Sequence, residues 1–286
     1  MSDKKTIGIL YIATGPYIAF WEDFYKTFES KFLTDFERHY YVFTDAAEIY
    51  AEGENVNIHK YFLKTLPWPL ITLFRFDTFL SIEEELSKMD YLMFSNSNMV
   101  CDDEISPEEF LPREDNGEQL FVTVHPGYAG KSGIYAPFDR NKKSSAYVPY
   151  NCGKTYVIGA MNGGTSKAFL EMSRKLDYAI KEDLKKNVIA RWHDESQLNH
   201  YIIGRDDVRV LGPEYCYPCG MEVNYEKKLS AVSKQAKFDA KTFKGLYEND
   251  NASLMQEIYI IVRGIGGRVL PIIFYIKDLI LFKKVR

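Results

Sequence analysis

Apolar runs alternate along the chain with stretches of helical periodicity. A near-continuous apolar run at residues 6–14 is typical of a strand that is covered on both faces. Apolar positions at residues 18–32 then recur at helical spacing. The same alternation predicts a strand at 39–45, an amphipathic helix at 72–88, strands at 91–94, 120–124 and 154–164, a helix from Thr165 and a helix at 197–203.

This order of strands and helices predicts an α/β fold, with a mostly parallel sheet and helices on both of its faces. In such folds, ligands bind outside the carboxyl ends of the strands. Polar or glycine-rich breaks follow three of the predicted strands, at residues 95–98, 125–127 and 163–164. The sequence therefore predicts that these three segments lie where a ligand binds.

The composition indicates one globular domain that does not bind nucleic acid. A chain of 286 residues with 46% hydrophobic content can bury one substantial core, which we assign to residues 1–245. Residues 227–286 hold twelve Lys and Arg against five Asp and Glu, so residues 1–226 carry a net charge of −11. Because phosphate backbones attract basic surfaces, nucleic acid is an unsuitable partner for this acidic body.

The basic end of the chain predicts an appendage, residues 246–286. Its apolar runs are interrupted by Arg263, Arg268, Lys277 and Asp278, which excludes an uninterrupted span of roughly 20 apolar residues. We interpret it as a basic amphipathic tail that contacts an anionic membrane surface, and a helix packed on the main domain is the alternative. Four cysteines without a disulfide framework, and a start without a signal peptide, indicate a cytoplasmic protein. The basic tail predicts that it is peripheral on the inner membrane.

The segment Trp192-His193-Asp194-Glu195-Ser196 is the most informative one for function. Consecutive polar and aromatic residues of this kind are unsuited to a core, which favours a binding site. An exposed helix start is the alternative, because Asp194 or Ser196 could cap the helix that follows. The segment by itself supports both interpretations equally.

Several motifs together resemble a known family. IATGPYIAF, HYYVFTD, HPGYAG, SSAYVP, GAMNGG, WHDESQLNHYI and GPEY occur in this order between about Ile7 and Lys234. Their order and spacing are similar to those of glycosyltransferase family 6, which includes the mammalian blood-group A and B transferases. The resemblance implies a GT-A fold, with a single Rossmann-like mixed sheet flanked by helices. It also implies transfer of Gal or GalNAc from UDP in α1,3 linkage, with retention of configuration.

The resemblance assigns roles to individual residues. The implied donor-binding residues are Ile12, Ala13, Thr14, Tyr17, Trp68, Arg75, Asn96, Ser97, Asn98, Ile158, Gly159, Ala160, His193, Asp194 and Lys234. The implied acceptor-binding residues are His125 and Trp192, and Glu195 is the implied catalytic residue. Without the family, strand core would explain Ile12 and Ala13, and a surface position would explain Arg75.

One protein carboxylate is sufficient for this chemistry. A retaining hydrolase needs a second acid to protonate a poor leaving group, whereas UDP leaves as a stable anion whose phosphate oxygen can take the acceptor proton. Glu195 would then either form a covalent glycosyl intermediate or stabilise an oxocarbenium-like state electrostatically. The sequence leaves both routes open.

The chain departs from the mammalian members at the residues that bind a metal ion there. Asn96-Ser97-Asn98 replaces their Asp-x-Asp, and neutral amides are poor ligands for Mn²⁺ or Mg²⁺. We therefore predict an enzyme without a metal cofactor, in which Lys234 stabilises the leaving diphosphate. Lys228 and Lys237 are weaker candidates for this role. An inactive protein that still binds a sugar or nucleotide is the alternative.

The remaining departures concern donor and acceptor. The residues that shape the donor pocket point in two directions, since Gly127 resembles the GalNAc-transferring members and Ala160 resembles the Gal-transferring ones. Between the two donors, we favour UDP-GalNAc over UDP-Gal by a narrow margin. Pro218 stands where the mammalian pattern has an acceptor-binding aspartate. The family implies a fucosylated, galactose-containing acceptor of the blood-group H type, carried on an oligosaccharide or a lipid-linked glycan.

Overall fold

The computed structural model describes residues 4–220 and 222–238. Its main sheet has seven strands in the order β3-β2-β1-β4-β7-β6-β8. The strands of the chain are β1 (Thr6–Ile12), β2 (Glu37–Thr44), β3 (Ile58–Phe62), β4 (Tyr91–Ser95), β5 (Met99–Cys101), β6 (Leu120–Val124), β7 (Val157–Thr165), β8 (Val208–Leu211) and β9 (Leu229–Ala231). The predicted tail, residues 246–286, lies outside the described residues, and its contact with a membrane stays a prediction.

The centre of the sheet is buried on both faces, as the apolar run at residues 6–14 predicted. Ile7, Ile9 and Tyr11 of β1 pack into the core on one face, and Leu10 packs into the core on the other. β1 pairs in parallel with β2 and β4, and successive side chains of a strand point to opposite faces of its sheet. The predicted α/β architecture with a mixed sheet is confirmed.

The direction of β7 corrects one expectation from the sequence. This strand pairs antiparallel with both β4 and β6, so its first residues, not its last, meet the carboxyl ends of the other strands. Gly163 and Gly164 therefore pair with Met93 and Leu92, away from the end of β4 at Ser95. A Cβ at Gly163 would lie 2.4 Å from the Leu92 carbonyl oxygen, which indicates that close strand packing requires a glycine there.

The helices cover both faces of the sheet. They are α1 (Trp21–Lys31), α2 (Leu70–Leu73), α3 (Arg75–Leu80), α4 (Glu83–Leu86), α5 (Pro107–Phe110), α6 (Ser166–Lys185) and α7 (His193–Tyr201). A 3₁₀ helix, Gly15–Phe20, precedes α1, where the sequence predicted α-helix from residue 18. The chain after Thr165 begins α6 with the Thr165 side chain as its cap, as predicted.

The single helix predicted at residues 72–88 is wrong, because the chain forms three short helices there. The hydroxyls of Thr72, Thr78 and Ser81 donate to the backbone carbonyls of Pro69, Phe74 and Thr78. Hydroxyls bonded in this way compete with regular helix hydrogen bonds and bend helices. The break before α3 leaves Arg75 buried at its first residue.

A second, two-stranded sheet lies beside the main one. β5 pairs antiparallel with β9, which joins residues 99–101 to residues 229–231. Neither strand was predicted, since three residues are too short to show a period, and the edge strands β3 and β8 were also missed. No helix among the described residues is long and apolar enough to cross a membrane.

Candidate active site

A cavity of about 200 Å³ opens where the carboxyl ends of β1 and β4 meet. The predicted donor-binding residues that line it are Ile12, Thr14, Tyr17, Trp68, Arg75, Asn96, Ser97, Asn98 and Lys234. The structure thus brings together residues from five separate parts of the chain. This position agrees with the general rule for ligand sites in α/β sheets.

Further lining residues were missed by the sequence analysis. They come from the segment before α3 and from β4, and they are Thr65, Leu66, Ile71, Thr72 and Phe94. Nothing in their spacing distinguishes them from ordinary loop and strand residues. Among the predicted residues, Ala13 is fully buried in the core, so its side chain fits the strand-core interpretation.

The turn Asn96-Ser97-Asn98 is held by bonds to three other segments. The backbone N–H of Asn96 donates to the Ala160 carbonyl at 2.9 Å. The Tyr11 hydroxyl donates to the Ser97 carbonyl at 2.9 Å, from within the core. The side-chain amide of Asn98 donates to the Val232 carbonyl at 2.8 Å. The turn is therefore fixed in place at the edge of the cavity.

Lys234 lines the cavity from the segment that follows β9. Its ammonium nitrogen is 5.2 Å from the centre of the Tyr17 ring. The two weaker candidates have carboxylate partners elsewhere: Lys228 pairs with Asp103 at 3.0 Å, and Lys237 pairs with Asp23 at 2.7 Å. Neither of them lines the cavity. Lys234 is accordingly the predicted lysine that can reach a ligand there.

Glu195 lies in the first turn of α7, and both of its carboxylate oxygens accept hydrogen bonds. The Tyr156 hydroxyl donates to Oε1 at 2.7 Å, and the Gly159 N–H donates to Oε2 at 2.8 Å. Burial raises the pKa of Glu195 to about 7, although both bonds favour the charged form. Tyr156 was missed, because a tyrosine 39 residues away along the chain carries no local signal.

Arg75 connects the cavity to α7. Its guanidinium pairs with the Asp194 carboxylate at 2.6 Å and donates to the Gly159 carbonyl at 2.9 Å, while it lies 3.9 Å over the Phe94 ring. Burial lowers the pKa of Arg75 and raises the pKa of Asp194, and the pairing of the two opposes both shifts. The Nε atom of Arg75 is buried without a hydrogen-bond partner. An arginine of this kind suits an anionic or hydroxyl-rich ligand.

His193 starts α7 in the left-handed backbone conformation, with φ at 52°. Its ring packs edge-on against Trp68, with the ring centres 4.7 Å apart. Burial, together with the nearby Arg75, lowers the pKa of His193 to about 4, so the ring is neutral at neutral pH. A neutral imidazole can both donate to and accept from sugar hydroxyls.

The start of β7 lies directly against Glu195. The register of β6 against β7 shifts between Val122 and Thr123, so that residues 159–161 bulge. A Cβ at Gly159 would lie 3.1 Å from the Glu195 Cβ, which explains a glycine at that position. Its neighbours Ile158 and Ala160 pack against the core, and the Ala160 side chain is buried.

Of the predicted acceptor residues, His125 lies beside Tyr156, and Trp192 directly precedes α7. His125 has its ring 5.8 Å from the Tyr156 ring, and its Nδ1 accepts from the Gly127 N–H at 3.0 Å. Burial lowers the pKa of His125. The Trp192 side chain is 40% exposed, so its ring is available to a ligand. The segment 192–196 begins α7 without a side-chain cap, and His193, Asp194 and Ser196 are buried, so the alternative of an exposed, capped helix start is wrong.

The described residues contain no group of three or more His, Cys, Asp or Glu that could hold a metal ion. The cysteine pair of residues 216 and 219 has one buried and one exposed thiol. These findings leave Asn96-Ser97-Asn98 as the position to consider for a metal.

Comparison with known proteins identifies the family. A family model described as Glycosyltransferase family 6 matches residues 1–242. The O-antigen biosynthesis glycosyltransferase WbnI of Escherichia coli is 37% identical over 229 residues, which cover 80% of this chain and 95% of the relative. The chain belongs to glycosyltransferase family 6. The resemblance drawn from the motifs is confirmed, and the mixed sheet is that of a GT-A-like glycosyltransferase fold.

More distant family members are vertebrate proteins. The histo-blood group ABO system transferase 2 of Rattus norvegicus is 28% identical over 220 residues, 75% of this chain and 64% of the relative. The globoside alpha-1,3-N-acetylgalactosaminyltransferase 1 of Homo sapiens is 29% identical over 223 residues, 74% of this chain and 61% of the relative. The chain thus spans less than two thirds of these relatives. Family membership implies a nucleotide-sugar donor and a glycan acceptor.

Proposed function

We propose that the protein is a retaining α1,3-glycosyltransferase that moves GalNAc, or galactose, from UDP to a galactose-containing acceptor without a divalent metal. The observation that carries this proposal is the position of Glu195. Its carboxylate is buried, held by Tyr156 and Gly159, and linked through Asp194 and Arg75 to the cavity. A pure binding protein has no evident need for a carboxylate held in this way.

The cavity suits UDP in its chemistry. Ile12 and Tyr17 offer apolar and aromatic surface to the flat uracil ring. Asn96 offers an amide donor to the diphosphate, and Lys234 offers a positive charge. Arg75 also lines the cavity, where its guanidinium can contact phosphate or sugar oxygens.

The residues at the turn do not fit a Mn²⁺ or Mg²⁺ site. Both ions prefer anionic oxygen ligands, and the turn supplies two neutral amides and a hydroxyl. The amide group of Asn98 also uses one of its hydrogens for the bond to Val232. In this proposal the ammonium group of Lys234 stabilises the departing diphosphate, which is the task of the metal ion in metal-dependent transferases.

Glu195 is the proposed catalytic residue. In its ionised form it lies beneath the anomeric carbon, on the side opposite to the diphosphate, and stabilises the positive charge that develops there. A phosphate oxygen of UDP takes the proton of the acceptor hydroxyl, so no second protein acid is required. His193 and Asp194 hold hydroxyls of the transferred sugar. The proposal includes both the covalent and the electrostatic route.

GalNAc is the proposed donor sugar, with galactose as the second candidate. The human relative is named for alpha-1,3-N-acetylgalactosaminyl transfer, which supports both the sugar and the linkage. Ala160 resembles Gal-transferring members, and a difference of one methyl group at such a pocket changes preference by roughly 1–3 kcal/mol. The proposed acceptor, a fucosylated galactose, packs against Trp192 and bonds to His125.

Release of UDP after exhaustive treatment with EDTA tests the proposal. We expect UDP release from UDP-GalNAc in the presence of a fucosylated galactose acceptor, at nearly the rate of untreated enzyme. UDP-Gal in a parallel assay measures the donor preference. Loss of activity with EDTA and rescue by Mn²⁺ would contradict the metal-free mechanism. Binding of UDP without release from either sugar nucleotide would favour the inactive binding protein instead.

A further inference from the structure

Asn98 and Val232 form a reciprocal pair of hydrogen bonds across 134 residues of chain. The Asn98 side-chain amide donates to the Val232 carbonyl at 2.8 Å, and the Val232 N–H donates to the Asn98 carbonyl at 2.7 Å. Asn98 is buried and precedes β5, whose residue Met99 pairs with Ala231 of β9. The pair therefore extends the small sheet by one step, and the side chain of Asn98 supplies one of the two bonds.

The segment fixed by this pair leads to the cavity. Val232 precedes Lys234 by two residues, and Lys234 lines the cavity beside Tyr17. Four residues further, the Phe238 ring packs edge-on against Tyr17 at 5.0 Å. From the other side, Tyr217 exchanges backbone bonds with Leu229 and Ala231, before the segment reaches Val232. The bonds between Asn98 and Val232 thus lie between residues 229–231, which Tyr217 anchors, and Lys234, which lines the cavity.

We propose that Asn98 is a positioning residue, whose amide holds residues 229–234 against the cavity and so sets the affinity for a nucleoside diphosphate through Lys234. This inference rests on the proposed role of Lys234 at the diphosphate. It assigns different tasks to the two amides of the turn. Asn96 is directed to the ligand, whereas Asn98 acts mainly on the protein's own chain.

The chemistry of the bond explains why an amide is needed at residue 98. An ionised aspartate has only acceptor oxygens and cannot donate to the Val232 carbonyl. At the same position it would face that carbonyl across 2.8 Å, with no proton between the two oxygens. An asparagine at residue 98 therefore links the turn Asn96-Ser97-Asn98 to residues 229–234. The position of residues 229–234 then depends on the same amide that replaces a metal-binding carboxylate.

Hydrogen exchange in the full-length, ligand-free enzyme tests the structural part. We expect Asn98→Ala and Asn98→Asp to speed exchange of the amides at residues 229–234 by roughly two- to tenfold, as loss of one neutral hydrogen bond implies. The exchange of α6 should not change, which shows that the fold is intact. Asn96→Ala is the matched control, since it removes an amide from the same turn and leaves the bonds to Val232. Unchanged protection of residues 229–234 in Asn98→Ala would overturn the proposal.

A double-mutant cycle on UDP affinity, measured by calorimetry with EDTA present, tests the functional part. We expect Lys234→Ala to weaken binding and Asn98→Ala to weaken it by roughly two- to tenfold. The double variant should bind no more weakly than Lys234→Ala, because Asn98 acts through Lys234. Fully additive losses, or no loss in Asn98→Ala, would overturn the inference and leave the proposed function intact. No loss in Lys234→Ala would instead refute the proposed role of Lys234, and with it the functional part of the inference.

Discussion

The hydrogen bond from Tyr156 to Glu195 gives a direct prediction about the pH dependence of transfer. Tyr156→Phe removes one hydroxyl and keeps the ring, which packs against His125, Tyr128 and Phe138. The Glu195 Oε1 atom then loses its donor at 2.7 Å, while Oε2 keeps the Gly159 N–H. Because the bond favours the charged carboxylate, its loss raises the pKa of Glu195 further.

The size of the effect follows from the strength of a charge-assisted bond. Such a bond contributes about 1.5–3 kcal/mol, and one pKa unit corresponds to about 1.4 kcal/mol, so the expected rise is roughly one to two units. Burial already raises the pKa of Glu195 to about 7. In the variant roughly 1–10% of Glu195 would be ionised at pH 7, against about half in the native enzyme. We therefore expect kcat/KM at pH 7 to fall by about 5- to 50-fold.

The assay is UDP release measured from pH 5 to pH 9.5. The acidic limb of the profile should move to higher pH in Tyr156→Phe, and activity should largely recover at the alkaline end. Tyr91→Phe is the matched control, because its hydroxyl donates to a carboxylate, that of Glu114, at the opposite end of β4. A loss in Tyr156→Phe that is the same at every pH would refute the reasoning, since it would indicate a change in shape and not in ionisation.

Four further predictions concern Glu195, Arg75 and the tail. Glu195→Gln should nearly abolish transfer and keep UDP binding, and a variant with most of its turnover would exclude Glu195 as the catalytic residue. Because the folded-state pKa of Glu195 is raised from 4.5 to about 7, the native protein should lose about 3 kcal/mol of stability as pH rises across that window, whereas Glu195→Gln should not. If the native protein and Glu195→Gln differed in Tm by the same amount at pH 5 and pH 8, the raised pKa of Glu195 would be contradicted. Arg75→Lys shortens the side chain and removes the planar guanidinium over the Phe94 ring, so kcat should fall at least about tenfold, and full activity would show that the guanidinium is dispensable. The full chain should float with anionic liposomes and a chain ending near Asp250 should not, and equal flotation would refute membrane contact by the tail.

The sequence predicted correctly those strands whose pattern of apolar residues is contained within the strand itself. The apolar runs of β1 and β4 are buried on both faces, and such runs are distinctive without any knowledge of partners. The family motifs also identified residues that the fold gathers at one cavity, although they are far apart along the chain. Arg75 is an example, since nothing nearby in the sequence separates it from a surface arginine.

The failures concern features that depend on distant parts of the chain. The direction of β7 follows from its pairing with β4 and β6, so the glycine pair could not be placed at the correct end of the sheet from its spacing. Tyr156 becomes a candidate only when α7 brings Glu195 to it. The hydrogen bond between Asn98 and Val232 likewise joins two segments whose sequences give no sign that they lie together.

A crystal structure with intact UDP-GalNAc, grown in the presence of Mn²⁺, tests the central claim most directly. The account predicts the Glu195 carboxylate within about 3–3.5 Å of the anomeric carbon, on the face opposite to the diphosphate. It also predicts that Lys234 and the Asn96 amide contact the phosphates, with no ion between them. A Mn²⁺ ion seated between the turn and the diphosphate, or a Glu195 side chain directed away from the sugar, would contradict it.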